Sequence, residues 1–119
     1  MIEIWLNPAC SKCRSAAAEM DAAGVEYAVR RYLDDPPTVA ELEDVLERLG
    51  LEPWDIARTA DGRKLGLTLP AKDAGHRTEW LQLMSSNPKL IQRPIITATD
   101  GTTVVGRDRE SVARVLEAG

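Results

Sequence analysis

Two cysteines, Cys10 and Cys13, lie in a short polar stretch, 7–14, that reads N-P-A-C-S-K-C-R. An apolar run at 2–6 precedes this stretch and predicts a strand, and a run at 11–23 has the pattern of a helix. Cys10 is therefore expected at the start of a helix. Free backbone N–H groups and the helix dipole favour negative charge there. A thiol in this position ionises more readily than a free cysteine, whose pKa is about 8.5.

The second cysteine gives this thiol a partner. Cys13 lies one helical turn after Cys10, so both sulfurs fall on one helix face, and Lys12 and Arg14 add positive charge nearby. The pattern favours a redox pair. Half of a zinc site is a second interpretation, but zinc needs four ligands and the one histidine, His76, is far along the chain. A reactive thiol beside a bystander is the third, and we expect no bound metal.

Composition limits the class of protein. The chain has 119 residues, 44% of them hydrophobic and 29% charged, which indicates one folded domain. Its net charge of −4 argues against non-specific binding to nucleic acid. No run approaches the roughly 18 apolar residues of a membrane span. No secretory signal pattern is present at the start, so we expect a cytoplasmic protein, and a monomer by default.

Strands are predicted at both ends of the chain. Gly24 ends the first helix, and 25–32 alternates apolar with polar residues, which predicts a strand parallel to the first with a right-handed crossover. Near the other end, the apolar runs 95–99 and 102–105 flank an Asp-Gly pair, a two-residue hairpin signal. Asp108 is placed to cap a final helix. The order is β-α-β at one end and β-β-α at the other.

The middle of the chain reads as helical. Thr38 and Glu41 form a capping-box sequence before a helix that ends at Gly50. A second helix is predicted over 78–86, and 61–64 is predicted to be a loop.

The chain resembles the glutaredoxin-like arsenate reductases, the ArsC family, which share a thioredoxin fold with the Spx regulators. The resemblance runs nearly end to end and depends most on N-P-A-C with its following arginine and on L-I-Q-R-P-I near the end. It implies an α/β thioredoxin-like fold, β-α-β then β-β-α around a four-stranded mixed sheet. It also implies one domain, 1–119, with an inserted helical segment at about 38–90. The peptide bond before Pro94 is expected to be cis.

In this family the cysteine thiolate attacks arsenate while three arginines hold the oxyanion. By position, the resemblance implies Cys10 as the nucleophile and Arg58, Arg93 and Arg107 as the arginines. Planar guanidinium groups match a tetrahedral oxyanion with paired hydrogen bonds. They also stabilise its charge while sulfur attacks arsenic and an oxygen leaves.

Two residues of the cysteine stretch complete the candidate substrate-binding set. Arg14 lies four residues after Cys10. Asn7 has two possible roles: it can orient the cysteine loop through an Asx turn, or it can bond an oxygen of arsenate.

The resemblance implies an external reductant and no bound cofactor. A small thiol, commonly glutathione, attacks the cysteine–arsenic adduct, arsenite leaves, and glutaredoxin resolves the mixed disulfide. A second route follows from Cys13, which can attack Cys10 and close a disulfide that thioredoxin then reduces.

Two sequence differences keep other functions open. Leu6 stands two residues before Pro8, where such reductases often carry a histidine, and C-S-K-C-R is closer to the C-x-x-C-R of the Spx regulators. One alternative is therefore an Spx-like redox switch that binds RNA polymerase. Another is a thiol-disulfide reductase of the same family that ignores arsenate.

Overall fold

A computed structural model describes residues 1–118 as an α/β protein. It has four strands: β1 (Ile2–Trp5), β2 (Tyr27–Arg30), β3 (Ile95–Thr97) and β4 (Thr103–Val105). Five α-helices lie in that described part: α1 (Ser11–Ala22), α2 (Val39–Leu49), α3 (Thr59–Lys64), α4 (Arg77–Ser86) and α5 (Arg109–Ala118). Short 3-10 turns cover Pro53–Ile56, Ala74–His76 and Pro88–Leu90.

The strands form one mixed sheet in the order β2-β1-β3-β4. β1 is parallel to β2, and Ile4 pairs with Val29. β3 is antiparallel to both of its neighbours, so Ile96 pairs with Ile4 on one side and with Val104 on the other. The predicted thioredoxin-like arrangement, β-α-β then β-β-α around a four-stranded sheet, is confirmed.

The chain divides into two compact units, and the first holds the sheet. This unit comprises Met1–Asp35 and the chain from Arg93 onward. Its core is formed by apolar side chains of the strands, of α1 and of α5: Ile2, Ile4, Ala16, Met20, Ile96, Ala98, Val104, Val112 and Val115. Removing these side chains from water is the main favourable contribution to the folding of this unit.

The second unit, Pro36–Gln92, is helical. The predicted capping box at the start of α2 is confirmed: Glu41 N–H donates to the Thr38 hydroxyl, and Thr38 N–H donates to the Glu41 carboxylate. Gly50 ends α2 with a left-handed backbone, φ 68°, which glycine adopts at little cost. Our interpretation of the chain as one domain with an insertion at about 38–90 stays a prediction.

Two local predictions are wrong. The expected loop at 61–64 is part of α3, where Gly62 is buried. A Cβ on Gly62 would lie 2.9 Å from Leu90 Cδ1, so glycine permits close packing here and its low helix propensity is overridden. The bounds predicted for the second strand, 25–32, are too wide, because β2 covers only Tyr27–Arg30 at the sheet edge, where Val29 is exposed.

The hairpin between β3 and β4 is present with a longer loop than its Asp-Gly pair predicted. Ala98 N–H donates to Thr102 O at 2.7 Å, which closes a loop of the residues at 99–101. Gly101 supplies the positive φ, 96°, that this loop requires. Within residues 1–118, every helix is too short or too polar to cross a bilayer.

Candidate active site

Cys10 lies in a tight turn between β1 and α1, at the residue before the helix begins. Its N–H donates to Asn7 O at 2.9 Å, and its backbone is extended. The side-chain oxygen of Asn7 accepts from Ala9 N–H at 3.0 Å, which makes the predicted Asx turn. The turn therefore presents the Cys10 sulfur to the first N–H groups of α1.

The surroundings of Cys10 favour its thiolate. Partial burial acts to raise the pKa, but hydrogen bonds from the backbone N–H groups of Cys13 and Lys12, the Arg93 guanidinium and the Cys13 thiol lower it to about 7. Roughly half of the Cys10 side chains are thus ionised near neutral pH, which is the form that attacks electrophiles. The contribution of Lys12 is made by its backbone N–H.

Cys13 has the opposite environment. Its side chain is buried with 0% exposure, and Asn7 N–H donates to its sulfur at 3.5 Å. Burial is the main cause that raises the pKa of Cys13 to about 11, and the charge of Cys10 adds to the effect. The pair is therefore asymmetric: Cys10 is the accessible thiolate, and Cys13 stays a neutral thiol beside it.

The remaining basic residue of the cysteine stretch serves the turn. Arg14 Nη1 donates to the carbonyl oxygen of Pro8 at 3.3 Å, so the exposed guanidinium bridges the ends of the loop around Cys10. Its predicted role in binding substrate stays a prediction.

Arg93 and Pro94 come to the cysteine turn from the start of β3. The Arg93–Pro94 peptide bond is cis, as the resemblance implied. The Arg93 guanidinium contributes a hydrogen bond that lowers the pKa of Cys10. One of the arginines predicted for the oxyanion therefore interacts with the nucleophile.

Arg107 reaches the same segment through the backbone. Its Nη1 donates to the carbonyl oxygen of Arg93 at 2.7 Å, and Gly106 N–H donates to Pro94 O at 2.8 Å. Arg107 therefore supports the main chain that carries Arg93.

Arg58 belongs to the second unit and is described within it. Its Nη1 donates to Gln92 Oε1 at 3.1 Å, and its Nε pairs with the Asp61 carboxylate. Its backbone N–H donates to Leu90 O, next to a bridge between Ala57 and Ile91. The second unit thus holds this guanidinium in a defined hydrogen-bond network.

Tyr32 is a site residue for which sequence reasoning gave no role. Its side chain is 1% exposed, and its buried hydroxyl has no acceptor for its proton. Burial raises its pKa to about 12, the charge of Arg93 and a hydrogen bond from it act to lower the pKa, and the cysteine pair, where ionised, raises it further. A usable signal existed: Tyr32 follows β2, whose carboxyl end meets the carboxyl end of the parallel β1 at one sheet edge.

Metal ligation finds little support around these thiols. In the part of the chain that the structure describes, 1–118, no group of three or more histidine, cysteine, aspartate or glutamate side chains is arranged to hold a metal ion.

Known proteins provide an independent comparison. A protein named "Uncharacterized protein in glnII region" from Streptomyces viridochromogenes is 57% identical over 97% of this chain and 98% of its own length. A protein named "Arsenate reductase" from Neisseria meningitidis serogroup A is 36% identical over 97% of each chain. The "Global transcriptional regulator Spx" of Listeria innocua is 25% identical over 98% of this chain and 87% of its own length.

A solved structure and a family model agree with these relatives. The structure named "Arsenate reductase from Vibrio cholerae" superposes with a TM-score of 0.72 at 31% identity, over 99% of this chain and 97% of the other. The model of the ArsC family matches residues 5–115, which include both cysteines and every arginine discussed above. The chain therefore belongs to the ArsC family.

Proposed function

We propose that this protein is a thiol-dependent arsenate reductase with Cys10 as its nucleophile. The observation that carries the proposal is the Cys10 sulfur at the start of α1, with a pKa of about 7 and a hydrogen bond from the Arg93 guanidinium. A thiolate beside a guanidinium suits attack on a compact oxyanion, because the same cation stabilises the sulfur before attack and the oxyanion during it. The arsenate reductase relatives support arsenate as that oxyanion.

In the first step, the Cys10 thiolate attacks arsenic. A sulfur–arsenic bond forms, an arsenic–oxygen bond breaks, and the oxygen leaves as water after protonation. Arsenic keeps its oxidation state in this step. Arg93 is placed to hold the oxyanion because it already contacts the attacking sulfur.

In the second step, a thiol reduces arsenic by attacking the Cys10 sulfur of the adduct. The sulfur–arsenic bond breaks and its electron pair leaves with arsenic as arsenite, while a disulfide forms. Cys13 is the other thiol of the chain and lies one helical turn after Cys10. A Cys10–Cys13 disulfide then needs a dithiol reductant such as thioredoxin. Glutathione attack from solution, followed by glutaredoxin, is the competing route.

The other predicted substrate-binding residues differ in whether a contact or only the resemblance supports their role. Arg107 is held against the Arg93 carbonyl and acts in this proposal through Arg93. Arg58 is assigned by resemblance alone. We assign Asn7 and Arg14 the role of stabilising the cysteine turn, because their side chains form hydrogen bonds with its backbone.

A redox-switch regulator is the second candidate function, and a specific observation favours it. The C-x-x-C pair followed by Arg14 matches the pattern that the sequence shares with Spx regulators, and an Spx protein is among the relatives. A regulator needs the Cys10–Cys13 disulfide but no oxyanion turnover. Arsenite formation therefore separates the two functions.

The test is a coupled assay in which NADPH consumption is followed with arsenate and either the thioredoxin system or glutathione with glutaredoxin. Arsenite is measured directly by chromatography with arsenic detection. We expect arsenite formation that matches NADPH consumption. Cys10→Ser should abolish both, while Arg109→Ala, which changes an exposed arginine outside the turn, should retain them.

No arsenite above the Cys10→Ser background with either reductant system would overturn the proposal. If the protein then reduces disulfide substrates, the thiol-disulfide reductase replaces it. Cys13→Ser separates the two reductant routes: we expect it to lose thioredoxin-coupled turnover, and unchanged turnover would assign the second step to an external thiol.

A further inference from the structure

The hydroxyl of Tyr32 is the buried polar group that the mechanism above leaves unused. The side chain is 1% exposed, and the buried hydroxyl has no acceptor for its proton, although a hydrogen bond from Arg93 acts to lower its pKa. Burial of an unsatisfied hydroxyl is unfavourable, and such groups are rare in folded proteins. A phenylalanine would fill the same volume without that cost, so the hydroxyl calls for an explanation outside folding.

Hydrogen bonds define the main-chain turn that contains Tyr32. Asp34 and Asp35 N–H groups both donate to Arg31 O, at 3.0 and 2.9 Å, in the turn that follows β2. The Arg30 guanidinium contacts Asp35 as well, through both its carboxylate and its carbonyl oxygen. Tyr32 lies within this turn with its side chain buried, at the end of the sheet to which the parallel strand β1 also leads.

The surroundings of the hydroxyl lack a good acceptor until an anion is bound. The groups that act on its pKa are Arg93, Cys10 and Cys13. A guanidinium has donors only, the neutral Cys13 thiol is a weak acceptor, and the Cys10 thiolate already accepts from two backbone N–H groups and from Arg93. Because burial raises the pKa of Tyr32 to about 12, the phenol stays protonated at neutral pH and has one proton to donate. An oxyanion between Cys10 and Arg93 would bring oxygens to this donor.

We propose that the Tyr32 hydroxyl is a catalytic hydrogen-bond donor to an oxygen of the oxyanion bound at Cys10 and Arg93. This inference rests on the proposed function for its substrate, arsenate, and adds a neutral donor to the guanidinium set. A neutral donor adds one hydrogen bond to the oxyanion and no further charge to the site.

The test compares Tyr32→Phe with Tyr27→Phe, which makes the same change at the other tyrosine of the chain. Tyr27 is a matched control because its hydroxyl bonds Asp21 on the surface. Alkylation of Cys10 by iodoacetamide is measured at pH 7 against increasing arsenate or inorganic phosphate, and kcat/KM for arsenate is measured alongside. Phosphate has the shape of arsenate and is not reduced by thiols.

We expect Tyr32→Phe to need about ten times more of either anion for half-protection and to lower kcat/KM about tenfold or more, as expected for a lost hydrogen bond to a charged group. The pH midpoint of Cys10 alkylation without anion should not move, and Tm should be equal or higher, because an unsatisfied hydroxyl has been removed. Tyr27→Phe should leave protection and kcat/KM unchanged. A merely structural role would instead lower Tm.

Unchanged anion protection in Tyr32→Phe would overturn the inference. A raised alkylation midpoint would also overturn it, because the hydroxyl would then serve the Cys10 sulfur. So would a parent protein that neither anion protects. The two proposals fail differently: arsenite formation that Tyr32→Phe leaves intact overturns this inference alone, whereas anion protection without arsenite overturns the reductase and retains Tyr32 as an oxyanion donor.

Discussion

Arg107 donates a hydrogen bond from Nη1 to the carbonyl oxygen of Arg93, with 2.7 Å between the two atoms. The two residues flank paired strands, since Ile95 of β3 lies opposite Val105 of β4. An arginine that the resemblance assigned to substrate thus forms a hydrogen bond with the main chain of a second arginine, whose guanidinium lowers the pKa of Cys10. We therefore propose that Arg107 positions Arg93.

Arg107→Ala is expected to lower kcat/KM for arsenate several-fold. It should also lower the free energy of unfolding by about 1 kcal/mol, because a part-buried, charge-assisted hydrogen bond is lost. Denaturant unfolding and steady-state kinetics measure the two effects. Arg109→Ala is the matched control, since that side chain is 95% exposed and pairs with Glu19 across the surface. Equal kinetics for the two variants would show that the bond to Arg93 does not matter for turnover.

Arg93→Lys separates charge from geometry at the cysteine turn. An ammonium keeps the positive charge near Cys10 but cannot offer two parallel hydrogen bonds to an oxyanion. We expect the Cys10 alkylation midpoint to rise only slightly, while kcat/KM for arsenate falls about tenfold or more because hydrogen bonds to a charged group are lost. If lysine supports full activity, paired recognition by this guanidinium is excluded. Arg109→Lys controls for the loss of a guanidinium as such.

The alkylation rate of Cys10 should follow a titration with its midpoint near pH 7, the value to which its pKa is lowered. Below that pH the rate should fall about tenfold per pH unit as thiolate becomes thiol, and above pH 8 it should reach a plateau. Stopped-flow alkylation between about pH 5 and pH 9 measures the profile, and mass spectrometry locates the label. A midpoint above about 8.5, the value of a free cysteine, would mean that the helix start and Arg93 do not stabilise the thiolate.

Gly106→Ala tests how closely the β4 end packs on the segment that carries Arg93. A Cβ at this position would lie 2.5 Å from Ile96 Cδ1 and 3.3 Å from Pro94 Cγ. Because Ile96 is fully buried, we expect a loss of about 1–3 kcal/mol in unfolding free energy, as for other overpacked cores, and a lower kcat/KM. Gly75→Ala is the control, since its nearest neighbour would be an Asp73 carboxylate oxygen at 3.4 Å. Equal stability of the two variants would mean that Ile96 repacks freely.

Local rules predicted the parts of this chain that local chemistry decides. The capping box at Thr38 and the cap at Asp108, whose carboxylate accepts from Ser111 N–H at 2.7 Å, are confirmed because a few neighbouring residues satisfy the helix N–H groups. The Asx turn at Asn7 was predictable for the same reason. The loop predicted at 61–64 is wrong because burial of Gly62 against Leu90 decides its conformation.

The candidate site divides in the same way. A lowered pKa at Cys10 follows from a strand-turn-helix pattern, and it could be inferred from sequence without any contact between distant residues. The electrostatic effects that link Arg93 and Tyr32 to the thiols join segments that are distant in sequence. The resemblance pointed to Arg93, and the parallel pairing of β1 with β2 was the one sequence signal for Tyr32. No local signal distinguishes a tyrosine with an unsatisfied hydroxyl from one that only fills the core.

The burial of Cys13 limits how many thiols a reagent can modify in the folded protein. An alkylating reagent such as iodoacetamide should label one thiol in the folded protein, Cys10, and the second only in denaturant, because the Cys13 side chain is buried. Oxidants that cannot enter the core must likewise modify Cys10 before Cys13 takes part. The two thiols therefore react in a fixed order, Cys10 before Cys13, whichever partner finally reduces them.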